Sequence, residues 1–121
     1  MANNIDIVLI PQEKISVVYP MIIRDMQKIL AKAKNGFNEK HMMKELLTGY
    51  YQLWLIWEKE KKEHYGFVVT EIVTRPLSKF CSVIIMTGKE RHHWQYEVMK
   101  TLEKYAIQNG CDKGYSLARK G

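Results

Sequence analysis

Apolar residues along the chain change their spacing several times, and each change predicts an element. From Ile5 to Ile10 they alternate around Asp6 and stop at Pro11, the pattern of a short strand closed by proline. From Ile15 they recur at Val18, Ile22, Met26, Ile29, Leu30 and Ala33, the spacing that gathers side chains onto one stripe of a helix. Pro20 lies near the start of that stripe, so either the helix begins there or its first turn is kinked. Asn35 and Gly36 supply a left-handed stop. Asn38 is placed to cap a second helix, whose Met42, Met43, Leu46 and Leu47 form another stripe before Thr48 and Gly49 end it.

Three strands are expected next. Tyr50 to Trp57 is dense in aromatic and aliphatic residues, Tyr65 to Thr74 is a second such run, and Phe80 to Met86 a third. The charged stretch from Glu58 to His64 reads as a solvated hairpin tip, and Arg75 to Ser78 as a second turn. A last helix spans about Arg91 to Gln108 with Trp94, Val98, Leu102, Tyr105 and Ala106 on one face, and Asn109 and Gly110 terminate it. Lys113 to Ala118 closes the series as a final strand. The order is β-α-α-β-β-β-α-β. A crossover helix implies that the fifth strand lies parallel to the fourth or nearby, and strands apolar on both sides require helices on both faces. The expected fold class is α+β, a layered α/β domain with a mixed, mainly antiparallel sheet over residues 1–121.

Composition narrows the picture only slightly. With 121 residues, 46% of them apolar, one domain with a real core is expected, burying roughly two-thirds of its unfolded surface. The net charge of +6 favours acidic partners, among them phosphate groups, nucleic acid and acidic proteins; a lysine-rich solvated surface explains it equally. Cys81 and Cys111 read as small hydrophobes of a reducing compartment rather than a disulfide pair. Asn3, Asn4 and Asp6 break any signal-peptide pattern, and no apolar run approaches the roughly 20 residues a bilayer span needs.

The element order, the run from Tyr51 to Trp57, the run from Gly66 to Ile72 and the helix end at Asn109 to Asp112 together resemble the GNAT acyltransferase fold. More narrowly, they resemble small GNAT-like proteins encoded by bacteriophages. The resemblance implies that the fourth and fifth strands splay apart and that acetyl-CoA lies in the opening. It places the pyrophosphate on backbone amides at the start of the crossover helix, where the helix dipole favours an anion. Carried onto this chain, the cofactor-binding positions are Thr87, Gly88, Lys89, Arg91, His92 and His93. The family's phosphate loop has the form Gln or Arg, two residues, Gly, one residue, then Gly or Ala. Here one glycine stands too early, Glu90 repels an anion, and paired histidines occupy the place of small residues. The family also continues past its fifth strand with a helix and a hairpin that complete the acceptor side, whereas this sequence closes at Lys120 and Gly121. Either the stretch ends early, or a partner subunit supplies that wall, or the fold is used without catalysis.

Glu71 is the one carboxylate inside an apolar strand and the candidate general base; the plainer alternative places it on a solvated face or in a hydrogen bond with Arg75 or a tyrosine. No metal site is expected, because adjacent helical residues such as His92 and His93 fan about 100° apart and no third ligand stands at a supporting spacing. The aromatics Tyr50, Tyr51, Trp54, Trp57, Tyr65 and Phe67 serve either as core under the two N-terminal helices or as a stacking platform for single-stranded nucleic acid. The seven methionines suit adaptable packing or a protein surface.

Three functions follow as expectations. The first is a catalytically degenerate GNAT-like phage domain, a structural or interaction module in the host cytoplasm or the virion, with no cofactor and with a protein partner or a second copy docked on the last strand's edge. The second is an acetyl-CoA-dependent N-acetyltransferase. The third is a basic nucleic-acid-binding accessory protein using Lys100, Lys104, Lys113, Arg119 and Lys120.

Overall fold

The computed structural model describes residues 4–32 and 38–111, and the backbone of 115–117. Strand β1 (Ile5–Leu9) leads through a 3-10 turn at Gln12–Lys14 into helix α1 (Ile15–Lys32). Helix α2 (Glu39–Thr48) follows, then the meander β2 (Tyr51–Glu58), β3 (Glu63–Arg75) and β4 (Ser78–Gly88). Helix α3 (Arg91–Gln108) crosses back to β5 (Tyr115–Leu117). The expected order is met, and α1 begins at Ile15 with Pro20 inside it, so the helix does not begin at Pro20. The expected stop at Asn35 and Gly36 lies outside the described residues.

The sheet order is β1-β2-β3-β4-β5, antiparallel except for β4 and β5, which pair in parallel as a crossover helix requires. Helices cover both faces. On one side Ile15, Tyr19, Ile22, Met26 and Leu30 of α1 join Met42 and Leu46 of α2 over Leu53, Leu55, Phe67 and Val69. On the other, Trp94, Val98 and Leu102 of α3 pack on Trp54, Ile56, Val68 and Val83. Trp54 thus belongs to the α3 face, not to the core under α1 and α2. Its indole N–H donates to Thr70 Oγ1 at 3.0 Å, and that hydroxyl donates to Gln52 Oε1 at 2.9 Å, which satisfies a buried polar pair. Most of the aromatic run is core, with Tyr51, Trp54 and Phe67 buried and Tyr50 exposed.

Two irregularities position the functional region. Between β2 and β3 the register slips at Tyr65, and between β3 and β4 it slips at Ile84, where Val69 faces Ile85 but Thr70 faces Val83. An extra residue bends and twists its strand. Pairing of β4 with β5 covers Cys81 to Val83 and ends at the second of these bulges. Beyond it, Ile84 to Gly88 carries no β5 partner among the described residues.

Candidate functional site

The stretch of β4 beyond the bulge ends in the junction with α3. Gly66 and Gly88 face each other across β3 and β4, so close that a Cβ on Gly66 would meet Thr87 O at 2.1 Å and Gly88 Cα at 2.5 Å. One on Gly88 would meet Tyr65 O at 2.5 Å and the Trp94 ring at 3.0 Å. Gly88 is therefore a close-packing residue. The Lys89 N–H donates to the Tyr65 carbonyl at 2.9 Å, and the Trp94 indole N–H donates to the Lys89 carbonyl at 2.7 Å. These bonds pin the turn to the sheet and to the buried face of α3.

Glu90 then takes a left-handed conformation, φ 55° and ψ 42°, directly before the first helical residue. A left-handed residue followed by a right-handed one is the backbone arrangement that turns successive N–H groups toward one point. The positive φ at this turn falls on a glutamate. No side chain caps α3. Around that start, Lys89 Nζ lies 3.6 Å from Glu63 Oε1 and over the Tyr65 ring, Arg91 Nη2 reaches Met86 Sδ at 3.4 Å, and Glu90 Oε1 lies 3.2 Å from His93 Nε2. The expected 100° fan does not keep the two histidines apart, because their ring centroids lie 4.2 Å apart. An open cleft of about 590 Å³ adjoins the junction, lined by Asp25, Glu63, His64, Tyr65, Thr87, Gly88 and Lys89.

Some 20 Å back along β4 by strand rise lies a polar rung. Tyr51 faces Glu71, Glu71 faces Ser82, and Ser82 pairs with Ser116, one row across β2 to β5 at the level where β4 leaves β5. Glu71 is half-buried. Burial, and then the Glu45 carboxylate on α2, push its pKa above the ordinary carboxylate value. Burial, then Glu71 and Glu45, raise that of Tyr51 as well. His41 Nδ1 lies 3.8 Å from Glu45 Oε2, and its ring stands edge-on to Tyr51 at 6.3 Å. Glu71 thus lies beside Tyr51 and within the field of Glu45, and His41 adjoins those two. His41 and Glu45, spaced i and i+4 on α2, were legible as a pair; their meeting with Tyr51 and Glu71 depends on sheet register and packing.

The remaining expectations sort simply. Cys81 is buried, with its thiol raised to about 11 chiefly by burial, and neither Cys81 nor Cys111 forms a disulfide. Lys100 and Lys104 are exposed on α3, Lys100 over the Tyr96 ring, while Lys113, Arg119 and Lys120 lie outside the described residues. No described helix is long and apolar enough to cross a membrane.

Neither a protein-family model nor a curated protein matches the chain. Its fold, however, is similar to that of solved acetyltransferases. A GNAT family acetyltransferase from Staphylococcus aureus is 12% identical, with 98% of this chain and 88% of that one covered at a TM-score of 0.61. A predicted acetyltransferase from Clostridium acetobutylicum, solved with acetyl-CoA, is 12% identical over 96% of this chain and 82% of that one, TM-score 0.65. A ribosomal-protein-alanine N-acetyltransferase from Brucella melitensis is 14% identical over 96% and 80%, TM-score 0.65. The chain has a GNAT-like fold, a class defined by architecture and not by activity.

Proposed function

We infer that this chain is a GNAT-like domain of bacteriophage type that has lost acyl transfer and works as an interaction module, in the host cytoplasm or the virion. The phage assignment rests on the residue runs at 51–57 and 66–72 and on the run from Asn109 to Asp112 that ends the last helix. The loss of catalysis rests on the start of α3. There the single glycine is engaged in packing, the Lys89 amide is bonded to β3, and the Glu90 carboxylate stands where a pyrophosphate would approach. In support of the interaction role, β1 is an edge of the sheet among the described residues and exposes Val8 and Leu9, an apolar margin that suits strand addition. The sequence pointed to the last strand's edge; β1 is the edge whose side chains the structure describes. Calorimetric titration with acetyl-CoA gives no binding heat up to about 1 mM ligand if this reading holds, and a micromolar dissociation constant overturns it. Light scattering on the purified chain is expected to find a dimer or a larger species; a strict monomer counts against self-association through the β1 edge.

One observation favours the second reading, acetyl-CoA-dependent N-acyl transfer. The left-handed Glu90, the β4 margin from Ile84 to Gly88 without a described β5 partner and the Glu71 rung follow one another along β3 and β4. Acetyl-CoA in the unpaired margin would bring its thioester toward Glu71, which would take the proton of an attacking amine directly or through water. Turnover of acetyl-CoA with a panel of amines, lost in Glu71→Gln, is the test of this reading.

A further inference from the structure

The start of α3 gathers Lewis bases as well as amides. Among the described residues, Glu90, His92 and His93 bring one ligand atom each into a group whose members all lie within 4.8 Å of one another. The cations that flank the cluster in sequence are engaged elsewhere. Lys89 lies against Glu63 and the Tyr65 ring, and Arg91 against Met86. Three donors thus converge with no positive side chain between them.

We propose that Glu90, His92 and His93 form a surface site for a borderline divalent transition metal, of which Zn²⁺ is the type. Two imidazole nitrogens and one carboxylate oxygen are a donor set that such ions accept, with a coordination position left open, whereas Mg²⁺ and Ca²⁺ demand oxygen ligands. The 3.2 Å between Glu90 Oε1 and His93 Nε2 already matches the edge of a tetrahedron whose metal–ligand bonds are about 2.0–2.1 Å. The remaining donor closes by side-chain rotation, since all three residues are exposed. Glu90 and His93, spaced i and i+3, are neighbours across the first turn. The positive end of α3 opposes a bound cation, and the Glu90 carboxylate offsets that field locally. The site leaves a positively charged ion with an open position at the mouth of the helix. It goes beyond the interaction role and does not depend on it.

The experiment is isothermal titration of untagged full-length chain with ZnCl₂, and with MgCl₂ as comparison. One equivalent of Zn²⁺ binds in roughly the micromolar range and Mg²⁺ gives no heat. His93→Ala and His92→Ala each weaken Zn²⁺ binding at least about tenfold, Glu90→Gln weakens it measurably, and His41→Ala leaves it unchanged. Circular dichroism confirms that each variant is folded, as expected for exposed positions. Absence of Zn²⁺ binding to the parent overturns the proposal. So does binding that survives all three ligand substitutions or is lost in His41→Ala, because the ion then sits elsewhere.

Discussion

The starts of α2 and α3 face the same difficulty, a first turn of backbone N–H groups with no partner in the helix, and they meet it differently. At α2, Asn38 is extended, φ −140° and ψ 169°, and its Oδ1 accepts the His41 N–H at 2.8 Å. Glu39 adds an acid to the first turn, where the helix dipole favours it. At α3 the residue in the cap position is a left-handed glutamate with no side-chain cap, and the first turn holds Arg91, His92 and His93 but no acid. The α2 start is completed by its own chain. The α3 start is held in a conformation that costs a non-glycine residue of the order of 1 kcal/mol, which persists only when the surroundings impose it. The surroundings here are the Gly66–Gly88 contact, the Lys89 N–H on Tyr65 and the Trp94 indole on Lys89.

The largest effect should come from removing that imposition. Gly66→Ala places a methyl 2.1 Å from a backbone oxygen and 2.5 Å from Gly88 Cα, neither of which can move without parting β3 from β4. Destabilisation of roughly 3 kcal/mol or more is expected, read as a fall in the urea midpoint or as loss of the folded circular dichroism signal. A change under about 1 kcal/mol would mean that the junction is pliable, and that the two helix starts differ by accident of sequence and not by constraint.

Asn38→Ala tests the other start. Loss of the bond to the His41 N–H should cost about 1 kcal/mol in chemical denaturation, and Asn38→Gly only a few tenths. If both are silent, the α2 cap does no more than the uncapped α3 start, and the contrast between them fails.

Legibility in the sequence follows the same division. The α2 start was readable because a cap is a local event, with Asn38 immediately before a Met42, Met43, Leu46, Leu47 stripe. The end of α3 was readable for the same reason. Gly110 at φ 78° and the Cys111 N–H on the Ala106 carbonyl at 3.0 Å form the left-handed closure that Asn109 and Gly110 announce. The parallel pairing of β4 with β5 was readable through crossover topology. What escaped depends on register. Gly66 and Gly88 stand 22 positions apart in the sequence and meet only because β3 and β4 slip by one residue at Ile84. Trp54 and Leu55 are equally apolar, so pattern alone could not assign Trp54 to the α3 face. Nor could it show that Tyr19, absent from the expected stripe, is buried with its hydroxyl donating to Glu39 Oε2 at 3.1 Å. In the candidate site, Glu71 was singled out as a lone carboxylate in an apolar strand, but its companions His41, Glu45 and Tyr51 come from two other elements.

The smallest effect on stability, and the most informative for the comparison, is expected at Glu90. Glycine there adopts φ 55° without strain, a gain of about 1 kcal/mol that its greater freedom in the unfolded chain returns in good part. Loss of the acid from the positive end of α3 removes a few tenths more. Glu90→Gly should therefore shift the urea midpoint by less than about 0.5 kcal/mol in either direction. Binding is where the change should appear. The substitution takes away the carboxylate that faces an incoming anion and keeps the backbone turn that aims the amides, so inorganic pyrophosphate should bind the variant several-fold more tightly than the parent in a calorimetric titration. Equal binding to both would show that Glu90 does not guard the helix start. In that case the uncapped α3 would be a strained cap and no more, differing from α2 in geometry but not in what it admits.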